Sequence, residues 1–121
     1  MRLIYLMSIL SEDHVPEISV QELKQLIDSN QKPFILDVRE DWEYSIANLD
    51  GYLIPLSQLV DRVDEIEKQH DESLIVVHCR SGGRSAEAVR FLHAAGITNA
   101  KNLRGGTLAW SKEIDPSLPT Y

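Results

Sequence analysis

Within six consecutive residues, Cys79-Arg80-Ser81-Gly82-Gly83-Arg84, the chain places a thiol, a hydroxyl, two guanidinium groups and two glycines. A cysteine attacks as its thiolate, and a free thiol titrates near 8.5 unless a helix N-terminus or a neighbouring cation lowers it. The apolar run Leu74-Ile75-Val76-Val77-His78 predicts a strand immediately before Cys79, and Ala88, Val89, Leu92 and Ala95 predict a helix after it with those residues inward. A thiol at such a junction meets outward-pointing N–H groups that lack helical partners, together with the positive end of a helix dipole. Cys79 is therefore expected to be largely ionised at neutral pH, with Arg80 and Arg84 adding cationic charge. Gly82-Gly83 permits backbone angles that a β-carbon forbids, so successive amides can curl into a nest around an anion beside the sulfur. Ser81 and Ser85 can add hydroxyl donors. The bland alternative is a small buried hydrophobe at a strand end followed by a glycine turn; the density of cations, hydroxyls and glycines after the thiol argues against it.

Cys79 is the only cysteine, so no intramolecular disulfide and no cysteine-rich zinc site competes for it. The histidines, His14, His70, His78 and His93, show no ligand spacing, and neither a metal nor a cofactor is implied. A length of 121 residues, 43% hydrophobic and 26% charged, suits one globular domain. The net charge of −7, with scattered Lys and Arg, argues against a nucleic-acid partner. The apolar stretch within Met1–Leu10 is too short to span a bilayer and is followed by Glu12-Asp13 rather than a small-residue cleavage site. Residues 1–15 read as an N-terminal extension and 16–121 as the domain, with no membrane association and a cytoplasmic location expected.

The elements that must position Cys79 follow from pattern. Ser19-Val20-Gln21-Glu22 has capping-box spacing ahead of Leu23, Leu26 and Ile27, a helix that breaks at Asp28-Ser29-Asn30. Phe34-Ile35-Leu36-Asp37-Val38 predicts a strand buried on both faces, with Asp37 and Arg39 at its carboxyl end. After a loop at Asp50-Gly51, Tyr52–Pro55 reads as a brief strand, and Ser57 as the cap of a helix with Leu59, Val63 and Ile66 inward. Gly96 should end the helix after the loop with a left-handed cap. A strand near Ala100–Leu103, the Gly105-Gly106 turn, a short helix around Trp110 and an irregular tail complete the chain. Strands alternating with helices imply an α/β fold in three layers, a mainly parallel central sheet flanked by helices, with ligands bound off the carboxyl ends of the strands.

Four motifs together resemble the rhodanese family of single-domain sulfurtransferases: Leu36-Asp37-Val38-Arg39-Glu40, Ile54-Pro55-Leu56, His78-Cys79-Arg80-Ser81-Gly82-Gly83-Arg84-Ser85, and Gly105-Gly106 with Trp110. The resemblance runs from about Ile18 to Trp110. It departs at Asn48-Leu49-Asp50-Gly51, where many relatives have His and Pro ahead of the Gly. It implies that Cys79 takes a sulfane sulfur from a donor such as thiosulfate or a protein persulfide, becomes a persulfide, and passes the outer sulfur to a nucleophilic acceptor. Arg80, Ser81, Gly82, Gly83 and Arg84 would form the substrate-binding loop. Asp37 and Arg39 would support it, as a structural ion pair in preference to a substrate contact. The ending Trp110–Tyr121 resembles rhodanese domains fused behind ubiquitin-activating-type adenylyltransferases, which implies a ubiquitin-like sulfur carrier or an adenylating enzyme as partner. No Gly-x-Gly-x-x-Gly follows a strand, so no ATP site is expected in this chain.

Two other readings fit parts of the pattern. Cysteine phosphatases and arsenate reductases also place Cys on an anion cradle between strand and helix, but the phosphatase signature has five residues between Cys and Arg where Cys79 and Arg84 are separated by four. A non-catalytic binding module is the other; an intact Cys79 loop weighs against it. The acidic face of Asp61, Asp64, Glu65 and Glu67, with Glu72, reads as a solvated surface before it reads as a docking site. Trp42 and Tyr44 are expected to pack against the Phe34–Val38 strand rather than to line a pocket.

Overall fold

In the computed structural model, which describes residues 15–70 and 72–121, the alternating pattern resolves into one parallel sheet with helices on both faces. The reading of Met1–Leu10 lies outside the described residues. The strands are β1 (Glu17–Ile18), β2 (Phe34–Asp37), β3 (Tyr52–Leu53), β4 (Ile75–His78) and β5 (Ala100–Leu103), in the order β1-β5-β4-β2-β3. The helices are α1 (Val20–Asp28), α2 (Asp41–Ile46), α3 (Leu59–Gln69), α4 (Gly83–Ala94) and α5 (Gly106–Glu113). β4 is central and pairs with β2 and β5, aligning His78 with Asp37 and Val77 with Asn102.

Because side chains alternate along a strand, each central strand feeds two cores. Leu36, Ile75 and Val77 face α3 and α4, where Leu59, Ile66, Ala88, Val89 and Leu92 are buried. Ile35, Val76 and Leu103 face α1 and α5, against Val20, Leu23 and the partly buried Trp110. This double burial is why the strands read as continuous apolar runs. No helix among the described residues is long and apolar enough to cross a membrane.

Local signals explain most boundaries. Glu22 N–H donates to Ser19 Oγ at 3.0 Å and Ser19 N–H to Glu22 Oε1 at 2.9 Å, the reciprocal cap expected of that spacing. Gly96, at φ +91°, donates to His93 O and closes α4 as expected. Two expectations fail and one helix was not expected. Ser57 does not cap α3: a 3-10 turn at Leu56–Gln58 starts the helical path earlier, so Ser57 lies inside it and Gln58 takes the cap position. Ala95 is exposed, because α4 stops at Ala94. Helix α2 went unseen because six residues are too few to display a period. The Asn48–Gly51 turn is built by Asn48, whose amide donates to Tyr44 O and whose oxygen accepts from Asp50 N–H at 2.9 Å.

The contact that ties the fold to the Cys79 loop comes from α5. Thr107 N–H donates to Cys79 O and Leu108 N–H to Arg80 O, each at 3.1 Å, so two of the unpaired donors at the start of α5 are satisfied by the loop's carbonyls. The approach is close enough that a β-carbon on Gly106, at φ +58°, would lie 2.5 Å from both carbonyl oxygens. Gly106→Ala is therefore expected to cost about 2–4 kcal/mol from left-handed strain and overpacking together. Chemical denaturation checks this, with the midpoint falling well below that of the unsubstituted protein.

Candidate active site

Cys79 follows β4 directly and its sulfur is buried, with the residue 1% exposed. Gly82 N–H donates to Sγ at 3.1 Å. Burial pushes the thiol up, but the Ser85 hydroxyl and the amides of Ser85, Gly82 and Ser81 outweigh it, and the net direction is downward from the ordinary thiol value. Gly82 sits at φ +114°, a left-handed conformation that redirects the chain from the loop into α4, whose N-cap it is. Gly83 does not share that role: it is the first residue of α4, without a positive φ, and a β-carbon there would meet nothing within 4 Å.

The two loop arginines are less free than their sequence suggests. Arg84 is held by Glu43 of α2 in a two-pronged pair, Nη1–Oε2 at 2.7 Å and Nη2–Oε1 at 2.8 Å. Glu43 is 3% exposed, and Arg84 holds its carboxyl at about 2 against an ordinary 4.5. Arg80 turns to the tail: its Nη2 donates to the backbone oxygen of Tyr121, and its guanidinium lies 5.3 Å from the centre of the Tyr121 ring. Ser81 is exposed.

Asp37 and Arg39, both fully buried, form an ion pair with Nη2–Oδ2 at 2.7 Å and Nε–Oδ1 at 2.9 Å. Arg39 also donates to Ala47 O at 2.7 Å and to the Tyr121 hydroxyl at 2.8 Å, and that hydroxyl donates to Glu43 Oε1 at 2.9 Å. The pair thus reaches the Cys79 loop through Tyr121, Glu43 and Arg84. Next to it, burial pushes His78 below its ordinary value, which keeps the imidazole neutral beside Asp37.

Glu43, Asn102 and Tyr121 were not predicted to take part. Glu43 three residues after Glu40 was the only local trace, since Glu40 N–H donates to Glu43 Oε2 at 2.8 Å. Trp42 is 60% exposed and stands edge-on to Tyr121, with ring centres 5.7 Å apart, because α2 carries it away from the strand it was expected to cover. Tyr44 is half-buried, and its hydroxyl donates to Gly51 O at 3.0 Å.

Two outcomes follow from this geometry. A carboxyl whose folded value lies below its unfolded one stabilises the fold above the unfolded value and loses that contribution as pH falls toward the folded one. Stability should therefore decline between about pH 4.5 and 2 through Glu43, and Glu43→Gln should flatten that part of a denaturation-against-pH curve. Gly82→Ala should destabilise by about 1–2 kcal/mol, whereas Gly83→Ala, at an ordinary helical position, should be neutral or stabilising in the same measurement.

Residues 19–113 match the rhodanese-like domain family. The chain is 36% identical over 105 residues to a probable adenylyltransferase/sulfurtransferase, MoeZ, of Mycobacterium tuberculosis, an alignment covering 86% of this chain and 26% of that protein. It is 38% identical over 102 residues to a putative sulfur carrier protein, YrkF, of Bacillus subtilis, covering 84% of this chain and 54% of the relative. Among solved structures, a thiosulfate sulfurtransferase from Pseudomonas aeruginosa superposes with a TM-score of 0.77 at 30% identity, over 92% of this chain and 21% of that one. The chain spans only about a quarter of MoeZ. With one family matched across most of its length and the parallel sheet arranged as in its structural relatives, the chain belongs to the rhodanese-like domain family.

Proposed function

We propose that the chain is a sulfurtransferase in which Cys79 carries a sulfane sulfur as a persulfide. The observation that carries this reading is the convergence of loop amides on a buried Sγ at the carboxyl end of β4. With thiosulfate as donor, the Cys79 thiolate attacks the outer sulfur, the S–S bond to the sulfonate breaks, and sulfite leaves with the electron pair. An acceptor nucleophile then attacks the terminal sulfur of Cys79–S–S⁻, the sulfur–sulfur bond breaks, and the thiolate is regenerated. No external oxidant or reductant enters either displacement.

Covalent catalysis divides one transfer into two easier ones, and the amides that lower the thiol also stabilise the negative terminal sulfur. Arg80, Ser81, Gly82, Gly83 and Arg84 form the donor-binding loop; Asp37 and Arg39 support it from behind. Because these 121 residues hold no second cysteine, the persulfide is discharged to a group outside them. A small ubiquitin-like sulfur carrier is the protein acceptor proposed, by kinship with sulfurtransferase and sulfur-carrier relatives. A reducing cytoplasm preserves the free thiol.

Incubation with thiosulfate should add one sulfur atom to Cys79 by intact mass, and cyanide should remove it as thiocyanate. Cys79→Ser should lower the transfer rate by at least about a thousandfold. Full activity in that variant, or turnover of an aryl phosphate with none on thiosulfate, would overturn the proposal.

A further inference from the structure

The Ser85 hydroxyl lies between two partners that both call on its single hydrogen. Its oxygen is 3.3 Å from Cys79 Sγ and 2.5 Å from Asn102 Oδ1. The orientation of the Asn102 amide is fixed by its other end, where Nδ2 donates to Gly82 O at 3.2 Å. Turned over, the amide would set oxygen against the Gly82 carbonyl oxygen. Asn102 therefore presents an acceptor to Ser85, and the Ser85 hydrogen points at Asn102. In that state Ser85 offers the sulfur only a lone pair, which suits a thiol S–H and repels a thiolate.

We propose that Asn102 is a positioning residue that competes with Cys79 for the Ser85 hydroxyl hydrogen and so sets how readily the thiol ionises. When the thiol proton leaves to solvent, the Ser85 O–H rotates from Asn102 Oδ1 to Sγ; the Ser85 O–H bond stays intact, and the Asn102 oxygen gives up a hydrogen bond. Part of the stabilisation the thiolate gains from Ser85 is thus offset by what Asn102 loses. Ser85 is fully buried and Asn102 is 3% exposed, so water is poorly placed to compensate either partner.

The register of the sheet makes this possible. Asn102 aligns with Val77 two residues before Cys79, and its side chain reaches both Ser85 in the first turn of α4 and Gly82 before it. The charged and titratable groups linked to the Cys79 loop are Arg80 and Arg84 on the loop and its helix, Glu43 on α2, Asp37 and His78 at the ends of β2 and β4, Arg39 after β2, and Tyr121 in the tail. α5 presents Gly106 and Thr107. None of these takes the Ser85 hydrogen; Asn102 does.

The inference is independent of sulfur transfer, because its readout is the ionisation of the one thiol without any sulfur donor. Alkylation of Cys79 by iodoacetamide, followed by mass across pH, reports the thiolate fraction. Asn102→Leu should raise the rate at pH values below the thiol midpoint by about fivefold, the scale of the one neutral hydrogen bond that no longer competes for the Ser85 hydrogen. In a Ser85→Ala background the same change should have no such effect, which separates the shared hydrogen from a shift of the Gly82 backbone. No increase, or an equal increase in both backgrounds, would overturn the proposal. The unsubstituted protein supplies a second test should the variants fold poorly. The ¹³C resonance of the Asn102 side-chain carbonyl should move with the midpoint of Cys79 ionisation and stay flat in Cys79→Ser, and a resonance insensitive to that ionisation would sink the idea.

Discussion

A peptide unit points its N–H and its C=O in opposite directions, and the loop after β4 uses both ends. The carbonyls of Cys79 and Arg80 are taken by the first free amides of α5, while the amides of the following residues turn toward Sγ. Each half requires the other: without acceptors on the loop, the start of α5 would hold buried unpaired donors, and without α5 the loop would lose the contacts that orient it. Gly106 allows the helix to come this close, and Gly82 turns the chain at the sulfur. The chemistry of Cys79 is thus inseparable from a helix that follows it by a whole βαβ unit.

Behind the loop lies a chain of buried charge running from Asp37 through Arg39, Tyr121 and Glu43 to Arg84. Burying an ion pair seldom adds much net stability, because desolvation offsets the attraction. Its effect here is geometric. Arg39 collects the end of β2, the end of α2 and the tail onto one guanidinium, and Glu43 turns Arg84 away from a freely mobile, solvated position. Neutralised in this way, Arg84 contributes less field at the sulfur than a free guanidinium would. The backbone amides become the principal donors facing Sγ.

Asn102 adds a restraint in the opposite sense. A cradle of donors alone would favour the thiolate without limit, whereas an acceptor that holds the Ser85 hydrogen gives the neutral thiol a satisfied state of its own. Two alternative arrangements of one hydroxyl would suit the proposed alternation of this sulfur between free thiolate and persulfide.

The sequence by itself determined the alternation of elements, the capping box at Ser19, the Gly96 cap, and the Cys79 loop at the end of a doubly buried strand. All of these depend on neighbours within a few residues, where spacing and backbone preference act directly. Even locally it blurred three features that packing resolved: Ser57 inside a turn in place of a cap, α2 too short to show a period, and Gly82 rather than Gly83 as the conformationally demanding glycine. What only the tertiary structure decided was the company Cys79 keeps. Glu43 and Arg84 are 41 residues apart, Arg39 and Tyr121 82, and Ser85 and Asn102 17. Those distances close because parallel strands return each carboxyl end to the same edge of the sheet, and no local pattern announces which side chains will meet there.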